Sequence, residues 1–247
     1  QISYSYSATL LREMQQKKHR QAPTRGMLAM APFADTDTIL TSHLDQSDWL
    51  ADLRSDTLRP LPWSGAELDS LKDIFHTDAF YGQDATEERF ANLAGDYRFI
   101  HLPTHGKADS RAGDYSWLAF APRPDSLENE LLYVRDLYNL SLNADLVTLS
   151  ACETAAGELQ RGEGIISLAR AFAYAGAKSI ATTLWQVNDR STQELMVSFY
   201  RYLRAGLPKD EALRRAKLDY LEAHSGTAAH PCFWAAVIGI GDMDALK

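Results

Sequence analysis

Strand-length apolar runs alternate with helix-length segments through most of this 247-residue chain, and that alternation restricts the fold more than any other feature. Strands separated by helices form parallel sheets covered on both faces, and burial on both faces makes such strands read as near-continuous apolar runs. Met27-Leu28-Ala29-Met30-Ala31, halted by Pro32, fits a buried strand. Ala79-Phe80-Tyr81-Gly82, Tyr97 to Leu102 (ended by Pro103), Asp145 to Ser150, Ser179 to Trp185 and Phe233 to Ile240 fit the same reading. Ser64 with Glu67 resembles a capping box opening a helix to about Phe75, and Asp84 caps a helix to about Leu93. A short helix is expected over Arg135 to Leu140, and one with helical apolar spacing over Ile165 to Ala175, ended by Gly176. Asp189 or Ser191 caps a helix to Leu203, and Asp210 opens another to about Ala223. Trp117 to Ala121 and Leu131 to Val134 read as a hairpin across Pro122 and Pro124. The expected fold class is α/β with a mostly parallel central sheet.

The net charge of -8 argues against a nucleic-acid partner, because neutralising phosphates requires a basic face. Two cysteines, Cys152 and Cys232, are too few for a disulfide scaffold. A reducing, cytoplasmic compartment is the expectation, and it keeps a catalytic thiol free. No apolar run approaches the roughly 20 residues that span a bilayer, so no membrane partner is expected. No signal peptide opens the chain, and Gln1 suggests a start inside a longer polypeptide. The stretch up to Gln16 fits a helix, and the basic run Lys17-Lys18-His19-Arg20 to Arg25 reads as an exposed linker. The expected division is therefore an N-terminal segment, 1–25, and a main domain, 26–247.

In open α/β sheets the reactive groups gather beyond the carboxyl ends of the strands. One such end here is Leu102-Pro103-Thr104-His105-Gly106, and another is Leu149-Ser150-Ala151-Cys152-Glu153-Thr154. If the two strands are neighbours, His105 and Cys152 emerge at the same edge. A cysteine needs a base or a nearby positive charge to reach the thiolate, and an imidazole titrating near neutral pH suits that task. The histidine lies 47 residues upstream of a cysteine preceded by alanine, which agrees with a caspase arrangement. Gly106, without a side chain, suits an oxyanion donor, with the Cys152 N–H as the second.

His101-Leu102-Pro103-Thr104-His105-Gly106 and Leu149-Ser150-Ala151-Cys152-Glu153-Thr154 are followed in order by Gly162-Glu163-Gly164, Arg170-Ala171-Phe172, Ala175-Gly176-Ala177, Leu184-Trp185-Gln186-Val187-Asn188-Asp189 and His230-Pro231 through Trp234-Ala235. In that order, from about residue 26 to the C-terminus, they resemble the CHAT family. These are caspase-like (clan CD) cysteine protease domains often fused to tetratricopeptide repeats. The resemblance implies a caspase-like α/β/α sandwich, a His105–Cys152 dyad, no cofactor, and a protein or peptide substrate. It also implies a role in bacterial signalling or defence, with upstream repeats that bind a regulatory partner and gate cleavage. The family more often has alanine where Pro103 stands. Related proteases place acidic groups of the S1 pocket near strand ends, which makes Asp35, Asp37, Asp109 and Glu153 candidates for holding a basic P1 side chain by a charge-assisted hydrogen bond. Trp185 and Asp189 are further S1 candidates, Trp185 as a wall.

Plainer readings stand beside these. Cys152 and Cys232 both suit small buried core positions. Trp185 suits the core and Asp189 a helix N-cap. His101 and His105 share a strand face only without Pro103 and the glycine turn, so a metal site is not expected. Gly162-Glu163-Gly164 lacks the rest of a phosphate-binding loop and fits a loop at the active-site rim. The rivals to an endopeptidase are a non-catalytic signalling module of the same fold and an esterase or acyltransferase using the same dyad. Self-cleavage in the basic run is a further expectation.

Overall fold

The computed structural model describes residues 4–5, 7–34, 58, 60–107, 113–122, 130–150, 163–185 and 187–246. A six-stranded sheet forms its centre. It contains β1 (Arg25–Ala31), β2 (Thr77–Tyr81), β3 (Tyr97–Leu102), β7 (Leu146–Leu149), β8 (Ser179–Thr183) and β9 (Val237–Gly241), in the order β2-β1-β3-β7-β8-β9. All its pairings are parallel except that of β8 with β9. A second, antiparallel sheet joins β4 (Gly106–Lys107), β5 (Trp117–Phe120) and β6 (Glu130–Tyr133), the last two forming the hairpin expected from the sequence. The helices among the described residues are α1 (Ala8–Gln16), α2 (Pro62–Ile74), α3 (Glu87–Leu93), α4 (Val134–Leu137), α5 (Glu163–Ala175), α6 (Asp189–Arg204), α7 (Lys209–Ala223) and α8 (Pro231–Trp234).

The apolar run of β1 explains the layers. Successive strand side chains point to opposite faces. Leu28 and Met30 therefore join the core containing Met14 of α1, Phe90 of α3 and Phe172 of α5. Met27, Ala29 and Ala31 join the opposite core, with Leu68 of α2, Phe199 of α6 and Leu213 of α7. Helices on both faces make an α/β/α sandwich.

The helix starts differ from those expected. α2 begins at Pro62 rather than Ser64, because proline at the first helical position already has the required φ. Ser64 is inside the helix, where its Oγ donates to the Leu61 carbonyl at 2.6 Å, and Glu67 is buried rather than capping. Asp84 ends a short 3-10 turn, and Thr86 caps α3 by accepting from the Arg89 N–H at 3.2 Å. Asn188, not Asp189 or Ser191, caps α6, its Oδ1 accepting from the Ser191 N–H at 3.1 Å. α7 opens at Lys209, after Pro208. The last strand starts only at Val237, because Pro231 opens the short helix α8. Glu163 and Gly164 belong to α5 rather than to a rim loop, and Gly162 lies outside the described residues.

The N-terminal segment is attached at several points. Met14 is buried, and Tyr4 donates its N–H to the Gly239 carbonyl and accepts from the Gly241 N–H, at 3.0 and 3.2 Å. The exposed-linker reading holds for Lys18, Arg20, Gln21, Ala22 and Thr24, whereas Lys17, His19 and Pro23 are half-buried and Arg25 already opens β1. Lys17 Nζ donates to the Ala173 carbonyl at 2.6 Å, near the negative end of the α5 dipole. His19 Nε2 lies 2.9 Å from Asp145 Oδ1, where Lys178 Nζ (2.8 Å) and Arg98 Nε (2.6 Å) also meet that carboxylate. Burial alone raises the Asp145 carboxyl, but bonds from Lys178, Arg98 and His19 outweigh it and hold it at about 2.

Gly176, at the end of α5, has φ +138°, and a Cβ there would meet the Leu142 carbonyl oxygen at 2.0 Å. Gly176→Ala is expected to cost about 1–3 kcal/mol from backbone conformation alone, with the clash in addition. Urea denaturation of the two proteins measures the difference.

Candidate active site

The chain leaves β1 outward to β2, then returns to place β3 on the other side of β1. The crevice at such a reversal, beyond the carboxyl ends of the strands, is where open α/β sheets hold ligands. Two side chains meet there. Phe33, just after β1, and His105, just after β3, have ring centroids 4.7 Å apart at an interplanar angle of 73°.

Pro103 ends β3, and two bonds to β5 fix the next turn. Thr104 Oγ1 donates to the Ala119 carbonyl at 2.5 Å, and the Ala119 N–H donates to the His105 carbonyl at 2.8 Å. His105 is thereby held almost fully buried, 3% exposed. Gly106 faces Leu118 across the β4–β5 pair. Because Ala119 bonds His105, the alternation of antiparallel ladders makes Gly106–Leu118 a non-hydrogen-bonded pair, and the Gly106 N–H points away from β5.

β7 lies beside β3, with Leu102 opposite Leu149 and His101 opposite Thr148. The neighbouring strands that a shared His105–Cys152 edge requires are therefore present. Cys152 itself lies outside the described residues, as do Asp35, Asp37, Asp109 and Glu153.

Trp185 and Asp189 are described. Trp185, 36% exposed, is not a core residue, and its Nε1 donates to the Cys232 carbonyl at 3.2 Å. Cys232 is partly exposed rather than buried, and its surroundings push the thiol upward by desolvation. Asp189 is the first residue of α6 and accepts from the Trp63 N–H at 2.7 Å. Burial pushes its carboxyl up to about 7, although part of the side chain still reaches solvent. The Trp63 N–H and His105 act against that rise, and the Glu67 charge adds to it. The Asp189 carboxyl is thus set mainly by its burial and by the Trp63 N–H, with Glu67 and His105 as lesser influences.

Phe33, Trp63 and Tyr200 carry no motif in the sequence, and Glu67 reads there only as a cap. Trp63 is 38% exposed, with the Arg190 guanidinium 5.3 Å from its ring centre. Glu67 Oε1 lies 2.8 Å from His101 Nε2, both buried under the sheet. Their spacing carried no local signal, because the groups that join them come from α2, β3 and α6.

The layers and strand order are those of a caspase-like α/β/α fold, and comparison with solved structures agrees. The Arg specific cysteine proteinase gingipain R superposes with a TM-score of 0.58 at 9% identity, covering 96% of this chain and 52% of that one. Separase in the Saccharomyces cerevisiae separase–securin complex gives 0.53 at 10% identity, covering 97% of this chain and 13% of that one. The sequence matches the CHAT domain over residues 1–242, and the chain belongs to that family. A human relative, tetratricopeptide repeat protein 28, is 31% identical over 213 residues, which cover 74% of this chain and 8% of that protein. The chain thus spans a small part of the curated relatives it matches. Among the described residues, no helix is long and apolar enough to cross a membrane.

Asp189 gives a pH-dependent expectation. Its folded value lies above that of an exposed aspartate, so the folded state holds the extra proton and this group's contribution to stability falls as pH rises toward about 7. Asp189→Asn keeps an acceptor for the Trp63 N–H without the charge. Its melting temperature is expected to exceed that of the parent protein at pH 8, with the gain shrinking toward pH 5, as thermal melts across that range would show.

Proposed function

We propose that the chain is the catalytic domain of a cysteine endopeptidase, with Cys152 as nucleophile and His105 as its base. The observation that carries this is the register of β3 and β7. Leu102 is opposite Leu149, His105 follows the first by three residues, and Cys152 follows the second by three. Three residues span at most about 10 Å of extended chain, so both members start from adjacent points on one sheet edge.

His105 takes the Cys152 proton, and the thiolate attacks the scissile carbonyl carbon. The N–H groups of Gly106 and Cys152 stabilise the resulting oxyanion. The imidazolium then protonates the amine as the C–N bond breaks, leaving a thioester. Water activated by His105 hydrolyses the thioester, which returns the thiol and releases the new carboxylate. A basic P1 residue is the preference this site favours, with Asp189 as its acidic partner and Trp185 as a pocket wall. Asp189 is supported by its half-buried carboxyl, which stands beyond the carboxyl end of β8 at the start of α6. Tetratricopeptide repeats in the human relative support gating by an upstream partner.

The test is cleavage of fluorogenic peptides with Arg, Lys or an uncharged residue at P1, using the full-length protein. Cys152→Ala is expected to abolish turnover and His105→Ala to lower kcat by at least about a hundredfold. Asp189→Asn is expected to weaken Arg and Lys substrates while sparing the uncharged one. Cleavage that persists in Cys152→Ala would overturn the assignment. Signalling by Cys152→Ala at parental strength would favour a non-catalytic module.

A further inference from the structure

Tyr200 of α6 is fully buried against the sheet, and its hydroxyl lies between two strands. It donates to Thr148 Oγ1 at 2.8 Å and is 3.2 Å from His101 Nδ1. His101 and Thr148 are opposite one another in the β3–β7 register. Each stands four residues ahead of a proposed dyad member, His101 before His105 and Thr148 before Cys152. On the far side of His101, Nε2 lies 2.8 Å from Glu67 Oε1 of α2, at ion-pair distance but without hydrogen-bond alignment. All four side chains are buried.

Stability does not explain such a cluster well. Buried polar and ionic groups are often replaced by apolar residues of similar volume at little cost or with a gain. Hydrogen bonds add direction, which apolar contacts lack. β7 pairs with β3 through only four register positions, Phe99↔Leu146 to Leu102↔Leu149. A ladder that short leaves small axial shifts weakly opposed, and a shift of about 1 Å in reacting groups can cost a hundredfold in rate.

We propose that the Tyr200 hydroxyl, bonded between His101 and Thr148, is the positioning device of the active site: it fixes the relative height at which β3 and β7 deliver His105 and Cys152. The proposal rests on the dyad reading above. Tyr200, His101 and Thr148 are positioning residues that do not touch substrate. Glu67 supports His101 from α2.

The experiment reads the dyad without a substrate. Iodoacetamide alkylation of Cys152 in the full-length protein is followed by peptide mass spectrometry between pH 5 and 9, with Cys232 as an internal reference. Tyr200→Phe and Thr148→Val each remove one hydroxyl and keep the bulk. Each is expected to slow Cys152 alkylation about tenfold at pH 7 and move its midpoint to higher pH. Cys232 should react at its parental rate, and the double variant should be no slower than either single one. Thr148→Ser, which restores the hydroxyl, should recover the parental rate. His105→Ala separates the two readings. If it slows Cys152 while Tyr200→Phe and Thr148→Val react at the parental rate and midpoint, the positioning role is overturned and the dyad stands, even if either variant melts lower. If His105→Ala leaves Cys152 unchanged, the dyad reading fails and the positioning role with it.

Discussion

The rest of the architecture depends on the parallel pairing of β3 with β7. These strands are far apart in sequence, and the intervening chain forms the small sheet of β4, β5 and β6. Their pairing turns two unremarkable strand ends into one locus. The second sheet then acts from outside, because β5 holds the turn around His105 by its backbone. Helices α2 and α6 act from beneath, through Glu67 and Tyr200. The site edge is therefore braced on both faces of the sheet.

Two carboxylates mark the opposite ends of that sheet and behave in opposite ways. Asp145, at the amino end of β7, is surrounded by Arg98, Lys178 and His19 and held at about 2. Asp189, beyond the carboxyl end of β8, is pushed up to about 7. Burial raises both; only Asp145 has enough donors to reverse it. One end of the sheet is thus settled by charge pairing. The other retains a carboxyl poised to change state near neutral pH, the kind of departure that gathers at functional sites.

The strands were legible because their signal is local. Both faces of β1 are buried, so Met27 to Ala31 appears as an unbroken apolar run, and Pro103 marks the end of β3 at the residue observed. Helix starts were less legible. Some starts have several cap-forming residues and packing chooses among them, as with Asn188 over Asp189, while others are set by a proline, as at Pro62 and Pro208. Glu67 shows the limit most clearly. Its spacing from Ser64 fits a capping box, yet its partner is His101, on another strand. His105 stands out in the sequence through its motif, which is why it is the proposed base. Phe33, Trp63 and Tyr200 do not, since an aromatic residue in the sequence says nothing about which loop or strand it will meet.

Tyr4 has a consequence for self-association rather than for chemistry. An outer strand offers unpaired backbone groups to any extended chain nearby, and folded proteins resist this by covering or shortening their edges. Here β9 is the outer strand on one side, and its Gly239 carbonyl and Gly241 N–H are already bonded to Tyr4. A strand from another molecule would have to displace that segment before it could add to the sheet. The same residues that lead into α1 therefore help keep the sheet finite, and removing them would open an edge to aggregation.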